Sequence, residues 1–280
     1  MLEFLASIGS VTCFGTVNPL AKRAIGEMGR HKAIVYSYFA MVILFIIGSF
    51  IVLPIFAFPQ ELIFEYIIVV TAGAVGVIAA FKALDYGQSS VVAPINKVYV
   101  LLVLIMSMVF LGEKLSVGQI GGSVMIVTSA IVLSIGDGGS LKPEKWMAYL
   151  GISILCRAYY YTFIKTFIEA MGPYAATVML EFGIVLFVVL FHSIRGRDLS
   201  PPPMKKALFP ALSGSMIFFG SLLYSVSVGM IGAALTAAVS AGAPIINAVT
   251  SYIILKEKLS FQKYLAIVLM AIGLVAIFVL

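Results

Sequence analysis

The chain has 280 residues, of which 62% are hydrophobic and 11% charged, with a mean hydropathy of +1.13. Soluble domains are about a quarter charged, and a single core cannot hide this much apolar surface, so a soluble fold is excluded. The net charge of +6 sits in short loops between apolar runs, as the bias of Lys and Arg toward one side of a membrane requires, and makes no nucleic-acid-binding patch.

The apolar runs are about twenty residues long, the span of a bilayer helix, and lack the ten-residue alternation of a barrel strand. They predict an all-α polytopic membrane protein with ten transmembrane helices, at residues 2–21, 33–56, 66–86, 91–111, 117–136, 146–166, 173–193, 207–228, 232–255 and 260–279. The first run has no basic n-region and no small-x-small cleavage site, so it reads as a retained helix and not a signal sequence. Asn18-Pro19 is expected to break it near its end, and Pro54 and Pro59 to close the second span. The fourth span opens on Pro94-Ile95-Asn96-Lys97 and closes on Gly112-Glu113-Lys114-Leu115-Ser116. Residues 136–140 (GDGGS) form the one linker-like stretch, followed by the single tryptophan, Trp146, where an interfacial ring is at home. A Ser200-Pro201-Pro202-Pro203 loop lies between the seventh and eighth spans. Cys13 and Cys156 fall inside apolar runs and read as small buried hydrophobes.

The two halves repeat. Residues 22–29 (KRAIGEMG) match residues 165–172 (KTFIEAMG) at an offset of 143, Cys13 matches Cys156 at the same offset, and Glu113 matches Glu257 at 144. This gives a first five-helix repeat at 1–136, a linker at 137–145 and a second five-helix repeat at 146–280. An odd number of spans per half forces the second copy upside down, so the repeats are inverted. Odd-numbered loops hold Lys22, Arg23, Arg30, Lys32, Lys142, Lys145, Arg195, Arg197, Lys205, Lys206, Lys256 and Lys258, while even-numbered loops hold little beyond Lys114 and Lys165. By loop charge the odd loops are cytoplasmic and both termini face out.

Two five-helix repeats, each with a Glu-Lys-Leu-Ser turn before its final helix (113–116 and 257–260), resemble the EamA-type branch of the drug/metabolite transporter superfamily. Ala243-Pro244 stands thirteen residues ahead of Glu257. The first half departs, with Pro94 nineteen residues ahead of Glu113, and its Pro94-Ile-Asn-Lys97 is similar to the Pro-Ile-Asp-Lys of single-repeat relatives. The resemblance covers the whole chain. It implies a ten-helix inverted-repeat carrier with a central cavity for small metabolites or drugs, in the plasma or inner membrane. It also implies cytoplasmic termini, against the loop charge, and the two orientations stand side by side.

Ionisable groups at bilayer depth mark a pathway or a partner. Arg157 lies about 16 Å beyond Trp146 at 1.5 Å per residue, close to the midplane. It is a fixed cation. One reading makes it an anion anchor, since its planar fork suits carboxylate or phosphate; the other makes it a structural ion pair with Glu181. Lys97 with Asn96 reads as a second substrate-binding element, and Glu181 as a proton-coupling carboxylate or a counter-ion. Tyr160 and Tyr161 stand one turn from Arg157 on its face, and Asn18 and Asn247 offer neutral hydrogen bonds. Lys82 and Asp85 are placed to snorkel, and Glu113 and Glu257 to cap helices. Small residues cluster at 73–80 and 232–243, where they let helices approach closely. Aligned on Lys165, small multidrug transporters would carry their cation-binding glutamate at Arg157, and the first half has Phe14 there; the resemblance therefore argues against cationic drugs.

The preferred function is a secondary carrier for a small anionic or zwitterionic metabolite working by alternating access. The alternatives are a cationic multidrug exporter and a non-transporting scaffold. No phosphate-binding loop, carboxylate pair or His-Glu-x-x-His motif is present, and His31 and His192 lie at span ends, so no enzyme activity, cofactor or metal is expected. The partners are the substrate and the lipid bilayer, with no nucleic acid; monomer and homodimer both remain open.

Overall fold

The computed structural model describes residues 2–52, 58–135 and 145–256, and beyond them 261, 265, 266, 268–270, 272, 273 and 276. Pro54, the 136–140 linker and the turn at 257–260 lie outside the described residues. The helices are α1 (Leu2–Met28), α2 (Arg30–Val52), α3 (Ile63–Tyr86), α4 (Ser89–Asn96), α5 (Tyr99–Phe110), α6 (Val117–Ile135), α7 (Lys145–Met171), α8 (Pro173–Ile194), α9 (Leu208–Ile231), α10 (Ala233–Ser240) and α11 (Ala243–Leu255). Among the described residues, five stretches are long and apolar enough to cross a membrane: 30–50, 60–86, 173–194, 208–231 and 233–255. The protein is an all-α multi-pass membrane protein.

The repeat recurs in helix lengths and turn conformations. Helices α1 and α7 are both 27 residues long. Each ends at a glycine in the left-handed region, Gly29 (φ 80°) and Gly172 (φ 82°), from which α2 and α8 start. The exit of α5 turns on Gly112 (φ 65°), and the exit of α11 turns on Lys256 (φ 59°), the one non-glycine with positive φ among the described residues. The first half thus meets the helix-ending left-handed requirement with glycine, and the second half with a lysine that bears the Cβ clash.

Packing follows the same symmetry. Helix α1 lies along α9 and α3 along α7, so each pairing joins the first helix of one half to the third span of the other. Helix α5 meets α10, and α4 meets α11. Small residues make these approaches possible. A Cβ on Gly214 of α9 would sit 2.1 Å from the Ser37 carbonyl oxygen of α2, and one on Gly73 of α3 would sit 2.6 Å from Ile184 Cδ1 of α8. Ala233, Ala234, Ala237 and Ala238 of α10 are completely buried.

Two expectations change. The first helix does not break at Asn18-Pro19; it carries Pro19 inside and runs on to Met28. One missing N–H is a local loss, and long contacts with α9 and α11 hold both sides of it. Spans four and nine are each two helices, α4–α5 and α10–α11, interrupted at Lys97–Val98 and Ala241–Gly242. Prolines sit beside these interruptions: Pro94 precedes one, and Pro244 enters α11 in its first turn. Trp146, in the first turn of α7, is buried beside Gly87.

Ends of odd-numbered connections gather on one face. Arg30 of α2 pairs with Asp85 of α3, and Lys32 with Asp198 beyond α8. Lys32 and Ser200 hold the exposed Asp198 carboxyl below the usual carboxylate range by hydrogen bonding to it. On this face Lys22 Nζ donates to the carbonyls of Leu84, Asp85 and Gly87, capping the end of α3. At the opposite face Glu113 accepts from the backbone N–H of Ala233 and Ala234, both at 2.8 Å, and pairs with Lys165 at 2.7 Å. Glu113 is a helix cap, as expected, but of α10 in the other half. The first N–H groups of a helix lack intrahelical acceptors, and with the positive helix end they favour a carboxylate there.

Candidate functional site

Between the halves lies a cavity of ≈ 80 Å³. Helix α7 supplies Arg157, Tyr160 and Tyr161; the break between α4 and α5 supplies Asn96, Lys97 and Tyr99. The α4–α5 break matters because polar side chains and irregular backbone are tolerated at membrane depth where they line a cavity.

Arg157 has little holding it. Its one side-chain hydrogen bond runs from Nη1 to Tyr161 Oη at 3.5 Å, and Nε is buried without a partner. No carboxylate of the described residues lies within 4.0 Å of it. The Arg157–Glu181 ion pair read as an alternative is therefore absent. Glu181 of α8 is 5% exposed. Its Oε1 accepts from Ser221 Oγ at 2.8 Å and from Tyr160 Oη at 3.5 Å, while Oε2 is buried with no partner. Buried polar atoms are normally satisfied, so an orphan on each of two opposite charges sharing one cavity needs a reason.

Lys97 donates to Tyr99 Oη at 3.3 Å, with its amine 5.3 Å from that ring. Tyr99 stacks on Tyr161 with centroids 5.1 Å apart. Tyr161 in turn packs edge-on to Tyr160 at 5.2 Å and against Tyr224 at 4.8 Å. This aromatic column fixes the wall beside Arg157. Asn96 Oδ1 accepts from Ser153 Oγ at 3.3 Å.

Seven of the eight sequence candidates, Arg157, Lys97, Asn96, Tyr160, Tyr161, Asn18 and Glu181, line this cavity. Asn247 does not: it is 1% exposed and donates to Ser89 Oγ at 3.3 Å, between α11 and α4. The sequence reading missed Tyr38, Tyr99 and Ser221. Tyr99, two residues from Lys97, was within reach of a pattern argument. Tyr38 and Ser221 carry no local signal, because only the approach of α2 and α9 to α7 and α8 brings them in. His, Cys, Asp and Glu form no metal-holding group among the described residues.

Repeated helices, broken fourth and ninth spans and a cavity between the halves that gathers Arg157, Lys97 and Glu181 define a membrane transporter of small molecules. The EamA-like transporter family model matches the chain twice, at residues 1–135 and 144–279, and the chain belongs to that family. A solved structure, titled only as the crystal structure of a protein, matches 98% of this chain and 95% of its own with a TM-score of 0.77 at 15% identity. That likeness concerns the fold alone. No curated protein matches.

Proposed function

We propose that the protein is a secondary carrier for a small anionic or zwitterionic metabolite in the plasma or inner membrane, working by alternating access. The observation that carries this is the Arg157 guanidinium: a permanent cation in the central cavity with a buried, unpartnered Nε and no carboxylate of the described residues within 4.0 Å. Desolvating a charge without compensation is costly, and a substrate carboxylate or phosphate would offset that cost with a two-pronged hydrogen bond. Lys97 adds a second cation on the same lining, and Asn18, Asn96, Tyr160 and Tyr161 add neutral partners. Glu181, with Oε2 free, is the coupling carboxylate. Breaks at Lys97–Val98 and Ala241–Gly242 act as joints about which the halves rock.

The test is thermal stabilisation of the purified protein by a panel of anionic, zwitterionic and cationic metabolites. Anything that binds the folded state alone raises its stability by mass action. Stabilisation by anions or zwitterions, followed by uptake of the same compound into proteoliposomes, is the expected outcome. Stabilisation by organic cations alone refutes the reading.

A further inference from the structure

A second cavity, of ≈ 60 Å³, lies on the face that carries the 195–206 loop. The start of α2 contributes Arg30 and His31, the end of α3 contributes Phe81 and Lys82, and the end of α8 with its following loop contributes His192, Arg195 and Arg197. Four fixed cations thus surround it. Arg30 is paired with Asp85. Lys82, Arg195 and Arg197 have no carboxylate within 4.0 Å among the described residues. Two of the cations rest on aromatic faces instead: Lys82 Nζ is 4.8 Å from the Tyr149 ring, and Arg195 is 4.4 Å from the Phe191 ring. The wall between the cations is an edge-on His31–His192 pair, 5.0 Å apart, with His31 Nδ1 buried and unpartnered.

Phe81 lines this cavity and the central one as well. It is 5% exposed, and its neighbours along α3 divide between the two spaces, Ile78 facing the outer cavity and Val77 and Leu84 the inner. The two cavities therefore share one side chain as a wall.

We propose that the outer cavity is an anion-collecting vestibule on the substrate path and that Phe81 is the gate between it and the Arg157 site. This rests on the anionic-substrate reading above. Its ligand is a carboxylate or phosphate group on a small molecule. Clefts lined by one sign of charge between low-dielectric walls raise the local concentration of counter-ions roughly 10–10³-fold. An anion gathered there would have the apolar Phe81 ring between it and Arg157. Rotation of that ring, or a shift of α3 against α2, joins the two spaces, and the cations pass the anion inward.

Entry can be measured without knowing the substrate. In a Cys13→Ala, Cys156→Ala background, Val17→Cys places one thiol on the central cavity. Sulfonate-bearing and trimethylammonium-bearing methanethiosulfonates are supplied to vesicles from the side bearing the 195–206 loop. The sulfonate reagent is expected to react about ten-fold faster, relative to each reagent's rate with a free thiol, as the counter-ion enrichment requires. Arg195→Gln with Arg197→Gln should lower that preference to what Arg157 and Lys97 beside the thiol produce by themselves, and both residues are exposed enough to be replaced without refolding the core. Phe81→Ala should speed both reagents several-fold, with Phe81→Leu, which keeps most of the packing, in between. Equal rates for the two reagents, or a preference untouched by the double substitution, would overturn the vestibule; a rate unchanged in both Phe81 variants would overturn the gate. Arg157→Met tests the central site separately: it should remove the part of the preference that arises beside the thiol and leave the part that Arg195→Gln with Arg197→Gln removes.

Discussion

Replacing Arg157 by methionine separates a binding role from a structural one. The methionine side chain is unbranched, flexible and apolar, so it fills most of the space of the arginine stem without the charge. From the wild-type side chain it removes one long hydrogen bond, 3.5 Å to Tyr161 Oη, and no ion pair. The loss on the folding side is at most about 1 kcal/mol. It is opposed by relief of a guanidinium that is desolvated without a partner on Nε, so the thermal midpoint should hold or rise. Had Arg157 been the buried counter-ion of Glu181, the same substitution would strand a carboxylate and cost about 3–5 kcal/mol. On the binding side, charge-assisted hydrogen bonds are worth about 1.5–3 kcal/mol, which is about ten- to one-hundred-fold in affinity. The assay is calorimetric titration of wild type, Arg157→Met and Arg157→Lys with the anion that best stabilises the wild type. The lysine variant keeps the charge without the fork and should recover part of the affinity. An Arg157→Met protein that is folded and binds as tightly as wild type refutes the anchor; one that loses several kcal/mol of stability makes Arg157 a structural residue.

Glu113→Ala should destabilise the protein by about 2 kcal/mol, since it leaves the N–H groups of Ala233 and Ala234 and the Lys165 amine without their acceptor; thermal unfolding in detergent reads this, and Lys165→Met in the same background should add little. Gly214→Ala should cost about 1–3 kcal/mol, because the new methyl group meets the Ser37 carbonyl at 2.1 Å and backbone has to shift. Lys256→Gly should stabilise by up to about 1 kcal/mol by removing the left-handed strain that Gly112 avoids in the first half. Glu181→Gln should make uptake indifferent to an imposed pH gradient; uptake that still follows the gradient moves the coupling role to another of the ionisable groups facing the cavity, which are Arg157, Lys97, Tyr38, Tyr99, Tyr160 and Tyr161.

Much of the architecture was already written in one dimension. Span length and apolar composition imposed membrane helices, because a bilayer leaves the backbone no alternative but internal hydrogen bonding. The 143-residue echo of the Lys22 and Lys165 segments gave the duplication, and it reappears as two 27-residue helices ending at Gly29 and Gly172. Charges at bilayer depth picked out Arg157, Lys97 and Glu181, since their cost is independent of which helix they face.

Tertiary structure decided which of these groups meet. Arg157 and Glu181 were plausible as a salt bridge on adjacent helices, yet Glu181 spends one oxygen on Tyr160 and Ser221, and no carboxylate of the described residues lies within 4.0 Å of Arg157. Asn18 and Asn247 both read as neutral hydrogen-bonding residues, but the Asn247 amide turns to Ser89. Pro19 looked like a helix end and is not, because packing outweighs one lost hydrogen bond. Glu113 carried the signal of a cap but not the identity of the helix it caps, 120 residues further on. Sequence by itself therefore determined the spans, the repeat and the costly charges, all properties of a residue and its solvent. Partnership across the cavity came only from the fold, because it depends on angles and distances between helices that no local pattern encodes.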